Sequence, residues 1–168
     1  MKRRHALLLP LAAGGRAAWA APSVPSAPAA PGQRVAWPEV ALLDGGRFGP
    51  DQAAGRAVVV VFWSITCPFC RRHNPHVEKL HRAARAQGKA LSVITAARDG
   101  DAAQVRRHAE AQGYTFPITL EAAPLAAALS PRRLVPLTVT VDRRGLLKQV
   151  IPGEMFEEDV MELLELAS

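Results

Sequence analysis

The chain has 168 residues, enough for one domain, and 49% of them are hydrophobic while only 5% are aromatic, a balance that suits an Ala/Val/Leu interior. The formal net charge is +6, but Lys2, Arg3, Arg4 and Arg16 fall in an opening stretch of twenty residues without an acid, and setting that stretch aside leaves +2. The near-neutral remainder argues against a nucleic-acid-binding protein. Two cysteines, Cys67 and Cys70, are too few and too close together to staple a domain of this size.

Residues 1–20 read as a secretory signal: a basic start at Met1–His5, an apolar run from Ala6 to Ala13, and Ala18-Trp19-Ala20 as a small-residue cleavage site. The apolar run is roughly eight residues long where a membrane span needs about twenty, and Gly14, Gly15 and Arg16 interrupt it. A cleaved signal is therefore favoured over an N-terminal anchor. The pair Arg3-Arg4 leaves the export route open. Residues 21–34 are rich in Pro, Ala and Ser and predict an extended linker, which makes 35–168 the folded domain.

Within that domain, Val40–Leu43, the turn Asp44-Gly45-Gly46 and Arg47-Phe48 predict a small hairpin. Ala57–Trp63 is a run of β-branched and aromatic residues with no polar alternation, as a strand covered on both faces requires. Apolar residues at helical spacing predict a helix over Phe69–Gln87, kinked at Pro75 and stopped at Gly88. Leu91–Ala96 reads as a second inner strand, Asp101–Gln112 as a helix capped by Asp101 and ended by Gly113, and Phe116–Leu120 as a short edge-like strand. Pro124–Leu129 predicts a short helix. A hairpin follows, from Leu137–Val141 through Asp142–Gly145 to Leu146–Ile151, and a helix over Glu154–Ala167 closes the chain with Phe156, Val160, Met161, Leu163 and Leu164 as its apolar residues.

The chemistry concentrates in Trp63-Ser-Ile-Thr-Cys67-Pro68-Phe69-Cys70. Thiol-disulfide exchange needs an accessible sulfur as thiolate and a second sulfur close enough to resolve the mixed disulfide. At the junction of a strand and a helix, Cys67 would face the helix's free N–H groups and positive dipole end, while Cys70 would lie one turn inside as the resolving thiol. Pro68 suits the first helical position, and Phe69 offers an apolar collar. The competing reading of a C-x-x-C pair is half of a metal site. No second cysteine or histidine cluster supplies the other ligands of a structural zinc, so soft copper is the metal that remains open.

These residues resemble the exported TlpA/ResA-like branch of the thioredoxin superfamily. The resemblance rests on Val61-Phe62-Trp63 followed by Cys67-Pro68-Phe69-Cys70, on Pro75, on Val135-Pro136 before the terminal hairpin, on Val141-Asp142-Arg143-Arg144-Gly145, and on Gly153 before the last helix. It implies an α/β thioredoxin-like fold: a central mixed β-sheet flanked by helices, with an N-terminal β-hairpin and a strand-helix insertion over Leu91–Leu129. It also implies that Pro136 is cis and lies against the cysteines, with Val135 offering its backbone to a substrate peptide. Trp63 is a candidate for the border of the substrate groove, although a tryptophan on an inner strand is more often core.

Departures from the family pattern concern proton transfer. His73 stands where the branch usually carries a buried glutamate, one helical turn from Cys70, and its imidazole is a candidate to exchange a proton with that thiol. Val61 replaces the buried aspartate of plain thioredoxins, Thr66 a frequent tryptophan, and Leu137 the usual threonine after the cis proline. The resemblance implies an exported, monomeric thiol-disulfide oxidoreductase without a cofactor. It would act on protein disulfides in the periplasm or an equivalent compartment and be recharged by a membrane thiol donor. A DsbA-like oxidase or isomerase and a non-catalytic copper module are the alternatives.

Overall fold

A computed structural model describes residues 27–168. The expected signal over 1–20 and the first part of the linker lie outside the described residues. The elements, in order, are β1 (Val40–Ala41), β2 (Arg47–Phe48), α1 (Pro50–Ala53), β3 (Ala57–Trp63), α2 (Pro68–Ala86), β4 (Leu91–Ala97), α3 (Ala102–Gln112), β5 (Ile118–Thr119), α4 (Ala122–Leu129), β6 (Leu137–Val141), β7 (Leu147–Pro152) and α5 (Glu157–Glu162). A 3-10 turn over Leu163–Ala167 follows α5.

β1 and β2 pair antiparallel as a separate ribbon, while the main sheet has the order β5-β4-β3-β6-β7. β4 is parallel to β3 and to β5, whereas β6 runs antiparallel to both β3 and β7, so the sheet is mixed. Every residue of β3 is buried, which explains its lack of polar alternation. Val59, Val61 and Trp63 enter one core with Val77 and Leu80 of α2, Val105 of α3 and Val160 of α5. Val58, Val60 and Phe62 enter a second core with Phe48 of the ribbon and Leu125 and Leu129 of α4. Burying a Val or Leu side chain contributes about 1.5–3 kcal/mol, so these two cores hold the helices against the sheet that carries the cysteine pair.

α3 starts and stops where its caps predict: the Asp101 carboxylate accepts from the N–H groups of Ala103 and Gln104, and Gly113 ends the helix at φ 70°. α2 continues as helix on both sides of Pro75, which lies on the exposed side where water can satisfy the Arg71 carbonyl that proline leaves without a donor. Two regions differ from their sequence expectation. The last helix begins at Glu157, because Met155 donates its N–H to His73 and Glu154 pairs with Arg72, so both are held outside the helix. Phe156 is consequently 78% exposed while Met155 is buried in its stead. Finally, the chain joins the domain before Val35. Ala29 donates to the Ala128 carbonyl, Gly32 to Leu147, and Leu147 to Gln33, so the end of the Pro/Ala tract lies along the β6–β7 hairpin.

Candidate active site

β3 and β4 end side by side, and the loops that leave them are tied together. The Asp99 carboxylate, just past β4, accepts from the Ser64 hydroxyl and the Ile65 N–H, each at 2.9 Å. The Arg98 N–H donates to the Trp63 carbonyl at 2.9 Å. This bracing sets the direction in which the chain enters α2 two residues later. Cys67 is the N-cap of that helix in extended conformation, and Pro68 occupies the first turn, where a missing N–H leaves no intrahelical bond unmade. The N–H of Cys70 donates to Cys67 Sγ at 3.1 Å, where negative charge develops when that sulfur acts as a nucleophile.

Both cysteines are free thiols, and their surroundings differ. Cys67 is half-buried. Cys70 is only 1% exposed, and burial first, then its hydrogen bond and charge interaction with Cys67, push its thiol up to about 12. Opposite the pair, the Val135–Pro136 peptide is cis and the Val135 carbonyl accepts from Cys67 Sγ at 3.7 Å. Two exposed apolar side chains are neighbours in sequence of the contacting residues: Phe69 is 54% exposed, with the Arg72 guanidinium 5.0 Å over its ring, and Leu134, next to Val135, is 43% exposed. Arg72 is held in turn by both carboxylate oxygens of Glu154.

A family profile described as Redoxin matches residues 30–164. The chain belongs to the Redoxin family. Among curated relatives it is similar to the thiol-disulfide oxidoreductase ResA of Halalkalibacterium halodurans, 29% identical over 124 residues, which cover 74% of this chain and 69% of the relative. The thioredoxin-like protein YneN of Bacillus subtilis is 26% identical over 124 residues, 74% of this chain and 72% of that one. Two solved structures share the fold. StoA of Bacillus subtilis superposes with a TM-score of 0.65 at 20% identity, covering 81% of this chain and 98% of that one. A thioredoxin-family thiol:disulfide interchange protein of Chlorobium tepidum TLS superposes at 0.67 and 19%, covering 84% and 99%. This redoxin is a TlpA/ResA-like member of the thioredoxin superfamily and a thiol-disulfide oxidoreductase.

Of the residues singled out in the sequence, Cys67, Pro68, Phe69, Cys70, Val135 and Pro136 converge at one end of the sheet. Trp63 does not join them on the surface. It is fully buried, with Tyr114 and Phe116 edge-on at 6.2 and 6.5 Å and His108 at 5.8 Å, so it has no area to offer a substrate. The even-numbered residues of β3 point to the other face, and Trp63 continues the Val59–Val61 side into the α2–α3 core.

His73 is also fully buried, and both ring nitrogens are occupied. Nδ1 accepts from the Met155 N–H at 3.2 Å, so Nδ1 carries no proton and the neutral ring must carry it on Nε2, which donates to Thr138 Oγ1 at 3.2 Å. Burial, followed by the neighbouring His76, pulls its pKa down to about 4. Neither nitrogen is hydrogen-bonded to Cys70, and the ring ties α2 to β6 and to the approach of α5. Proton exchange near neutral pH, the role considered for it in the sequence, has no support in these contacts.

Asp99 and Leu134 belong to the site and escaped the sequence reading. Asp99 sits in Arg98-Asp99-Gly100-Asp101, where only pairing with a loop more than thirty residues away distinguishes it from the helix cap Asp101. Leu134 could have been found, since a large apolar residue in a Pro/Arg loop next to Val135-Pro136 has no core to enter. Among the described residues no group of three or more His, Cys, Asp or Glu side chains is arranged to hold a metal ion.

Proposed function

We propose that this redoxin is an exported reductase that passes electrons from the Cys67/Cys70 dithiol to disulfides of other exported proteins, such as apocytochromes or copper-site precursors, and is recharged by a membrane thiol donor. The observation that carries the reading is the asymmetry of the pair. Cys67 is accessible, starts the helix and receives an N–H on its sulfur, while Cys70 is buried and stays protonated at neutral pH.

In the reaction the Cys67 thiolate attacks one sulfur of the substrate disulfide, a mixed disulfide forms, and the substrate's other sulfur leaves as a thiolate. Cys70 then loses its proton and attacks Cys67 Sγ. The mixed disulfide breaks, the second substrate sulfur leaves, and the Cys67–Cys70 disulfide forms. The protein gives up two electrons and the proton of Cys70, and the substrate takes its second proton from the solvent that received the one Cys67 released on forming its thiolate. With both nitrogens of His73 engaged elsewhere, the proton of Cys70 passes to the departing sulfur or to water. The substrate chain lies along Val135, whose N–H has no partner among the described residues, with Phe69 and Leu134 as its apolar border. Export is supported by the composition of residues 1–20, and among the described residues no helix is long and apolar enough to cross a membrane.

A reduction potential measured on the mature domain, together with alkylation of the protein directly in its compartment, tests the direction. A value near the thioredoxin range, about −270 mV, with a reduced steady state is expected; a value near −120 mV with an oxidised steady state makes the protein an oxidase. Copper titration of the reduced protein tests the non-catalytic alternative, for which tight binding without disulfide reduction is the signature.

A further inference from the structure

A cavity of about 550 Å³, lined by the loop after β4, by α4 and by the loop before Leu134, contains neither cysteine and is left unused by the exchange reaction. Its floor is small and apolar, with Leu120 at one end and Ala123 and Ala126 of α4 along it, and three arginines, Arg98, Arg132 and Arg133, stand on its wall. Among the described residues the only acid in the lining is Asp99, whose carboxylate is already committed to Ser64 and Ile65. Arg98 is fixed in place. Its guanidinium lies 5.1 Å over the Phe62 ring, Nη2 donates to the Arg132 carbonyl at 3.1 Å, and its buried Nε has no partner among the described residues. Three like charges gathered on an apolar floor with no free carboxylate make a site whose complement is an anion.

Connectivity links this cavity to the reacting sulfur. Asp99 braces Ile65, two residues before Cys67, and Arg132 and Arg133 lie on the loop that runs through Leu134 to Val135 and its contact with Cys67 Sγ. Val135 is three positions after Arg132, no more than about 11 Å of chain. A polypeptide seated against Val135 therefore extends within a few residues over the arginine wall. This chain's own N-terminal tract does not supply the complement, because its first acid is Glu39.

We infer that the cavity is a second substrate subsite that takes an acidic, aliphatic segment of the partner polypeptide, with carboxylates on Arg98, Arg132 and Arg133 and a small aliphatic side chain on the alanine floor. The inference rests on the proposal that the partner is a polypeptide engaged at Cys67, and it names the sequence chemistry that such a partner carries beside its disulfide.

The test is a binding measurement that needs no redox turnover. Two fluorescently labelled, cysteine-free ten-residue peptides are compared by anisotropy at low ionic strength on the whole reduced protein, one of alternating Glu and Val and one of alternating Gln and Val. The acidic peptide is expected to bind at least tenfold more tightly, with the advantage shrinking as salt rises. In the exposed double variant Arg132→Gln/Arg133→Gln the advantage should fall below twofold. In Arg85→Gln/Lys89→Gln, which removes the same charge at and just past the far end of a helix about 28 Å long, it should persist. Equal affinities in the unaltered protein, an advantage that survives Arg132→Gln/Arg133→Gln, or one lost equally in Arg85→Gln/Lys89→Gln, overturns the assignment. Disulfide reduction by the unaltered protein is followed separately, so loss of the reductase reading and loss of the subsite register in different assays.

Discussion

The rim of the site and the layer directly beneath it are one helical turn apart and are built on opposite principles. Phe69 and Leu134 stand open to solvent and Cys67 is half-buried, whereas Cys70, His73 and Thr138 are buried, and His73 of α2 bonds Thr138 of β6. The rim spends little stability and leaves its surface free for a partner. The backing holds α2, β6 and the approach to α5 in one arrangement, and the bond from the Met155 N–H to Nδ1 forms only while His73 is neutral. Reactivity and rigidity are thus assigned to adjacent turns of the same helix, and the difference between them can be broken from either side.

The largest effect is expected at the sulfurs. Cys67→Ser should lower disulfide reduction at least about a thousandfold and accumulate no mixed disulfide, while Cys70→Ser should trap substrate on Cys67, detectable as a covalent adduct by mass spectrometry. Adducts on Cys70 in the Cys67→Ser protein would reverse the assignment of rim and backing.

Next comes the backing. With a pKa near 4 in place of 6.5, His73 binds fewer protons in the folded protein than in the unfolded chain between those values. The stability it supplies is complete above about pH 6.5 and is lost as the pH falls to about 4, by about 3 kcal/mol at most. Denaturant titrations from pH 7 to 4 should show this slope, and His73→Gln should flatten it. A smaller loss, about 2 kcal/mol at neutral pH, is expected for Glu78→Ala in α2. That carboxylate accepts from the N–H groups of Thr115 and Phe116, from the Thr115 hydroxyl and from Arg82, and those donors would be stranded. Burial alone would raise the Glu78 pKa, but the hydrogen bonds outweigh it and hold it low, so this contribution fades as the pH falls through the carboxylate range.

The smallest change in stability belongs to the rim. Phe69→Ala and Leu134→Ala should alter unfolding by no more than about 0.5 kcal/mol, since both side chains are already exposed, yet raise KM for a protein disulfide several-fold. An equal loss with a small-molecule disulfide would mean that these residues shape the sulfur itself and not the docking of a chain.

Much of this molecule follows from local sequence. β3 is legible because seven consecutive apolar residues admit only a strand covered on both faces, and α3 because Asp101 and Gly113 mark its ends chemically. The start of α2 is legible because Cys67, Pro68 and Cys70 each suit a specific position of a helix N-terminus. Where local reasoning failed, distant partners had decided the matter. The last helix lost its first turn to contacts with His73 and Arg72, some eighty residues away, and the direction of Trp63 depended on which side of β3 received α3.

The sequence by itself determined a paired-cysteine centre at a strand-to-helix turn, because that chemistry is written in residues three apart and in the apolar run before them. Tertiary structure alone decided what each neighbour of the pair does. His73 became a neutral strut when the fold buried it between Thr138 and Met155, and Asp99 became a brace when β4 came to lie parallel to β3. Burial and long-range hydrogen bonding set the charge state and orientation of a side chain, and neither is encoded in its immediate neighbours.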